Sequence, residues 1–96
     1  MKISEAQEMI LQAYGDKDRK RGISGTFMYL VEEIGELSTA LREEGKEERA
    51  SELADVFAWT LSVAALEGID LQKAFIEKYQ VCKGCGQTVC GCDTKP

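Results

Sequence analysis

Apolar residues recur along this chain three and four positions apart, the spacing of amphipathic helices, and a few glycines interrupt the pattern. Ser4, with Gln7 three residues on, reads as a capping box. It opens a predicted first helix whose apolar face carries Ala6, Met9, Ile10 and Ala13, and which Gly15 ends. Asp16 to Gly22 reads as a charged connector. Ser24 caps a second helix over residues 25–44, with Phe27, Leu30, Val31, Ile34, Leu37 and Leu41 as its buried stripe. Gly45 breaks the run. A third helix starts at Lys46 or Glu47 and reaches Glu67, with Gly68 as its C-cap. Asp70 caps a short fourth helix that turns Leu71, Ala74, Phe75 and Ile76 inward. There is no internal repeat, low-complexity tract or hairpin signal, and the one proline is Pro96. The expected fold is all-α with four helices.

The second half of the third helix changes this picture. Val56, Phe57, Ala58, Trp59, Leu61, Val63, Ala64, Ala65 and Leu66 surround it on every side. A helix apolar all round must be covered all round, and three partner helices of so short a chain leave it under-covered. A homodimer or homotetramer with this helix at its centre is therefore expected.

Ninety-six residues make one domain. Residues 1–80 are expected to form the helical domain and residues 81–96 a cysteine-rich tail. A net charge of −5 argues against nucleic-acid or anionic-membrane partners, which call for a basic face. No apolar run reaches the roughly 20 residues of a membrane span, and Met1 to Glu5 carries no apolar signal region. A soluble, cytoplasmic protein is expected. Histidine is absent, so histidine-based triads, histidine bases and HExxH zinc sites are excluded. Acid–base chemistry falls to carboxylates, lysines, tyrosines or metal-activated water.

The candidate chemistry lies in a split run of carboxylates: Glu32-Glu33-x-x-Glu36, fifteen residues, then Glu52-x-x-Asp55. Residues three apart on a helix face the same way, so Glu33 pairs with Glu36 and Glu52 with Asp55. With Gly45 as the turn of an antiparallel pair, the two acid pairs lie within about 3 Å of the same depth at roughly 1.5 Å of rise per residue. Like charges about 4 Å apart cost roughly 4 kcal/mol per contact at an effective dielectric near 20, unless a cation sits between them. All-oxygen ligation suits Mg²⁺, Mn²⁺ or Ca²⁺. Glu32 falls about 100° round the helix from Glu33 and stands apart from this set. Other charge runs, such as Arg42-Glu43-Glu44, read as solvated faces. Asp55, between Ala54 and Val56 and leading into the Trp59 region, is costly there unless paired or bound to metal.

The pattern EExxE, a gap, then ExxD on consecutive helices of a small all-α chain resembles the MazG-type nucleotide pyrophosphohydrolases of the all-α NTP pyrophosphatase superfamily. Leu30-Val31-Glu32-Glu33-Ile34-Gly35-Glu36-Leu37-Ser38-Thr39-Ala40-Leu41 matches the first motif and Glu52-Leu53-Ala54-Asp55-Val56-Phe57-Ala58-Trp59 the second. The Gly68-Ile69-Asp70-Leu71 turn before a short helix is similar too, so the likeness covers roughly residues 4–80. It implies a four-helix fold completed by oligomerisation. It also implies Mg²⁺-dependent hydrolysis of a nucleoside triphosphate to monophosphate and pyrophosphate. By matching position, Glu33, Glu36, Glu52 and Asp55 are the implied Mg²⁺ (or Mn²⁺) ligands. A free oxygen of this set, or Glu32, is the implied proton acceptor.

The substrate contacts are less sharply marked. Lys17, Arg19, Lys20 and Arg21 precede the motif helix and read either as phosphate contacts or as a solvated loop. Trp59, four residues beyond Asp55, reads as a base-stacking face or as core and interface. Lys78 stands where the family often carries a lysine, while the asparagine usual four residues later is Cys82 here.

The tail holds Cys82-x-x-Cys85 and Cys90-x-Cys92. Four thiols within eleven residues, with Gly84, Gly86 and Gly91 allowing tight turns, suit a structural Zn²⁺. Disulfides and free thiols are the alternatives. Two readings of the whole chain thus stand: a nucleotide pyrophosphohydrolase, with a phosphoribosyl-nucleotide hydrolase as its variant, and a non-enzymatic helical oligomer that binds a metal or a partner.

Overall fold

A computed structural model describes residues 1–96. Three helices and no strands make up the chain: α1 (Ile3–Glu43), α2 (Lys46–Leu66) and α3 (Leu71–Tyr79). The all-α expectation holds, and the first two predicted helices are the two arms of α1, joined at a kink rather than by a loop. α1 runs through Gly15 and bends at Gly22, where φ 83 and ψ 171 leave the helical region. A helix-ending glycine adopts the left-handed conformation. Positive φ occurs at Gly22, Gly68 and Gly86 and not at Gly15, so the expected charged connector is helical from Asp16 to Arg21 and leaves the helix only at Gly22. The expected Ser4 cap is also displaced. Lys2 is the N-cap, and the Glu5 carboxylate accepts its backbone N–H at 2.8 Å.

Gln7, freed from capping, ties the ends of the fold together. Its side-chain amide donates to the Ile69 carbonyl at 2.7 Å, and its amide oxygen accepts from the Leu71 N–H at 3.1 Å. The Ser4 N–H donates to the Gln72 side chain at 3.0 Å. The first arm of α1 is thereby pinned to the α2–α3 turn. Glu44 and Gly45 join α1 to α2 tightly, and α2 packs chiefly against α1. At its far end α2 stops at Gly68, whose φ of 65 lets the Ile69 N–H reach the Ala64 carbonyl at 2.9 Å. Asp70 caps α3 as expected, accepting from the Lys73 N–H at 3.1 Å.

The core of one chain is thin. Ala40, Leu61 and Ala64 are its fully buried apolar residues. The predicted stripe of the second helix does not close against α2. Leu30 and Leu37 are half-buried, but Phe27, Val31, Ile34 and Leu41 remain 51%, 45%, 49% and 57% exposed. The face that meets α2 is rotated by about one residue, some 100°, and carries Thr26, Glu33 and Ala40. The seam within the chain therefore combines part of the stripe, Leu30 and Leu37, with Glu33 and, from α2, Glu52. Met9 and Ala13 of the first arm, and Ala74, Phe75 and Ile76 of α3, are likewise exposed rather than turned inward. No helix is long and apolar enough to cross a membrane.

Gly22→Ala tests the bend. A Cβ there meets nothing within 4 Å, so any loss comes from the backbone alone. This φ/ψ region is essentially closed to other residues, and the substitution is expected to cost about 1–3 kcal/mol in denaturant unfolding.

Candidate metal centre

Glu33 and Glu36 project from the second arm of α1, one turn apart, and Glu52 projects from α2 across the seam. One carboxylate oxygen from each lies within 4.8 Å of the others. Glu33 Oε2 and Glu52 Oε2 are buried and have no hydrogen-bond partner. The two ion pairs of the chain, Arg19–Asp16 and Arg21–Asp18, lie elsewhere, so no side-chain cation answers these acids. The electrostatic result follows. Burial, then the charges of Glu36 and Asp55, push Glu33 up to about 7 from an ordinary 4.5. Burial and the same two neighbours also raise Glu52.

Three carboxylates converging on one point, two with an orphaned buried oxygen, suit a hard divalent cation. Glu33, Glu36 and Glu52 come together as expected. Asp55 stands just outside the tight cluster, close enough for its charge to raise both Glu33 and Glu52. Glu32 is exposed and separate, as its position round the helix requires.

Asp55 also faces a cleft of roughly 230 Å³ lined by Tyr14, Asp18, Arg21, Trp59 and Ser62, among others. Arg21 governs this cleft. Its Nη1 donates to the buried Asp18 carboxylate at 2.9 Å. Its guanidinium carbon sits 5.0 Å from the centroids of both Tyr29 and Trp59. Those two rings stack on each other at 5.1 Å. Gly25 makes the arrangement possible, because a Cβ there would lie 2.6 Å from Arg21 Cγ.

The other predicted cations do not line this cleft in one chain. Arg19 pairs with Asp16, Lys17 and Lys20 are exposed on the first arm, and Lys78 is exposed in the last turn of α3. Asp18, Tyr29, Tyr14 and Ser62 were not anticipated. Asp18 and Arg21 are i, i+3 on the first arm and Gly25 and Tyr29 are i, i+4 on the second, and the bend at Gly22 brings the two pairs together.

A second cluster forms in the tail, where the sulfurs of Cys82, Cys85, Cys90 and Cys92 all lie within 4.8 Å of one another. None is disulfide-bonded.

The MazG nucleotide pyrophosphohydrolase domain matches residues 21–83, and the chain belongs to that family. Among curated proteins none matches it. The match spans the acid cluster, Arg21 and Trp59, and ends at Lys83, just after the first cysteine of the tail.

The raised acids set a pH test. Without metal, Glu33 favours folding in its protonated form. That contribution is fully present below about 4.5 and is lost as pH rises through about 7. A divalent cation replaces the proton, so Mg²⁺ should raise the melting temperature more at about pH 8 than at about pH 5.5. Equal shifts at both pH values, measured against a chelator control, would remove Glu33 from the cation site.

Proposed function

We propose that the chain hydrolyses a nucleoside triphosphate, NTP or dNTP, to the monophosphate and pyrophosphate with Mg²⁺ or Mn²⁺ bound. One observation carries this reading: a family-matched set of converging carboxylates whose buried oxygens have no partner and whose charges have no counter-ion. Glu33, Glu36, Glu52 and Asp55 are the ligands. When bound, the cation supplies neutralisation of phosphate charge and activation of water.

The chain's own groups supply the rest. Asp55, between the cluster and the cleft, fixes where the phosphates meet the acids. A carboxylate oxygen left free of the cation, or Glu32 next to Glu33, takes the proton of the attacking water. Arg21, held by Asp18, is the cation the cleft offers to phosphate. The flat Tyr29–Trp59 pair offers an aromatic face to the base. The cleft is smaller than the roughly 300–1,000 Å³ of an ordinary ligand pocket. It takes part of a nucleotide, and Lys17, Arg19 and Lys78 contribute from a neighbouring copy. A homodimer or homotetramer is the assembly this requires, and the exposed Phe27, Val31, Ile34, Leu41 and Phe57 supply the apolar surface for it.

A panel of NTPs and dNTPs, assayed for pyrophosphate with Mg²⁺, tests the activity. Turnover of at least one is expected. Glu36→Gln and Asp55→Asn should each lower it by more than about 100-fold, beyond the loss usual for residues that merely support a ligand. Wild-type activity in either variant would overturn the ligand set. No turnover on any nucleotide would favour the non-enzymatic oligomer instead. Light scattering at micromolar concentration should give two or four times the 10.6 kDa chain mass, and a monomer would contradict the shared cleft.

A further inference from the structure

The four cysteines of the tail are distant in sequence from the acid cluster and play no part in the proposed hydrolysis. We propose that Cys82, Cys85, Cys90 and Cys92 form a tetrathiolate site for a single structural Zn²⁺ that locks residues 81–96 onto the end of α3.

The four sulfurs lie within 4.8 Å of one another, and Cys82 Sγ and Cys92 Sγ are 4.0 Å apart. A tetrahedral ion with Zn–S bonds of about 2.3 Å holds its sulfurs roughly 3.8 Å apart, so small side-chain adjustments close the site. An iron–sulfur cluster places several irons and sulfides between its thiolates and would spread them further. Two disulfides would pair all four sulfurs, but none is bonded, and the 4.0 Å between Cys82 Sγ and Cys92 Sγ is the spacing of ligands on one ion.

The backbone round the sulfurs is also that of a metal-binding turn. The Gly84 N–H donates to Cys82 Sγ at 3.4 Å, the Gly91 N–H to Cys85 Sγ at 3.4 Å and the Cys92 N–H to Cys90 Sγ at 3.3 Å. Amide donors of this kind orient ligand sulfurs and offset their charge. The turn round the first pair is closed by backbone bonds, from the Gly86 N–H to the Cys82 carbonyl at 2.9 Å and from the Cys82 N–H to the Gln87 carbonyl at 2.8 Å. Gly86 takes φ 77 to make that turn. A Cβ on Gly84 would come 3.0 Å from Cys92 Sγ and 2.9 Å from the Pro96 ring, so the two cysteine pairs approach across a glycine.

The anchor to the helical domain is short. Phe75 and Tyr79 stack at 5.5 Å on α3, and Lys83 Nζ lies 5.6 Å over the Tyr79 ring. Apart from this, sixteen residues without helix or strand have little apolar surface of their own to bury. A metal is the means by which so small a segment acquires a fixed shape.

The full-length chain, purified without added metal and dialysed against a weak chelator, should retain one zinc per chain by elemental analysis. Replacing the zinc by Co²⁺ should give the thiolate-to-metal charge-transfer bands and intense visible absorption of a tetrahedral sulfur site. Cys85→Ser and Cys90→Ser should each lose the metal and the spectrum, while Thr88→Ala in the same loop keeps both. The helical circular dichroism of the cysteine variants should stay within a tenth of wild type, because α1 to α3 precede the site. No metal and no cobalt spectrum in reduced wild-type protein would overturn the proposal. So would iron in place of zinc, or Cys82, Cys85, Cys90 and Cys92 found as two disulfides under anaerobic alkylation. None of these readouts depends on nucleotide hydrolysis, so this site and the acid site stand or fall separately.

Discussion

Mutual repulsion among Glu33, Glu36, Glu52 and Asp55 is the constraint round which the helical domain is arranged. The seam between the second arm of α1 and α2 is where a small helical protein would ordinarily put leucines. Here it holds acids with buried, unpartnered oxygens, and burial together with like charge drives Glu33 to about 7. Such a seam is weak glue for a helical hairpin. The apolar residues displaced from it, Phe27, Val31, Ile34 and Leu41, face outward instead. Two things are thus left unmet within one chain: carboxylate oxygens without a partner and an apolar stripe without cover. Both connect stability to binding, since whatever occupies the site or the surface stabilises the folded chain.

Much of this was legible in the sequence. Helical periodicity located α2 and α3, the Gly68 stop and the Asp70 cap, because those signals are local and each rests on one or two residues. The four acids were legible for a different reason. Their spacing places them on common faces, and matched distances from Gly45 bring the faces level. The bend in α1 was harder. Gly15 and Gly22 look alike as letters, and only the left-handed backbone at Gly22 separates a helix breaker from a buried helical glycine. Asp18 and Arg21 lie on the first arm and meet Tyr29 only across that bend, so a connector over residues 16–22 hides their pairing.

The rotation of the second arm has a similar cause. Six apolar positions at helical spacing mark a face that must be covered, but periodicity does not say by what. The stripe on Phe27 to Leu41 is as regular as a core stripe, and under the proposed assembly of copies it would obey the same rule as a core.

The pinning of α1 at Gln7 carries a mechanical consequence. The first arm is a rigid rod held at its start by the Ile69 and Leu71 backbone and at its end by the bend at Gly22. Arg21 is the last residue of that rod before the bend. Asp18, Tyr29 and Trp59 hold its guanidinium in the cleft, while the two fastenings hold the backbone that carries it. Arg21 and the α2–α3 turn therefore sit at opposite ends of one helix arm, and a substitution at Gln7 acts on the cleft only through that arm.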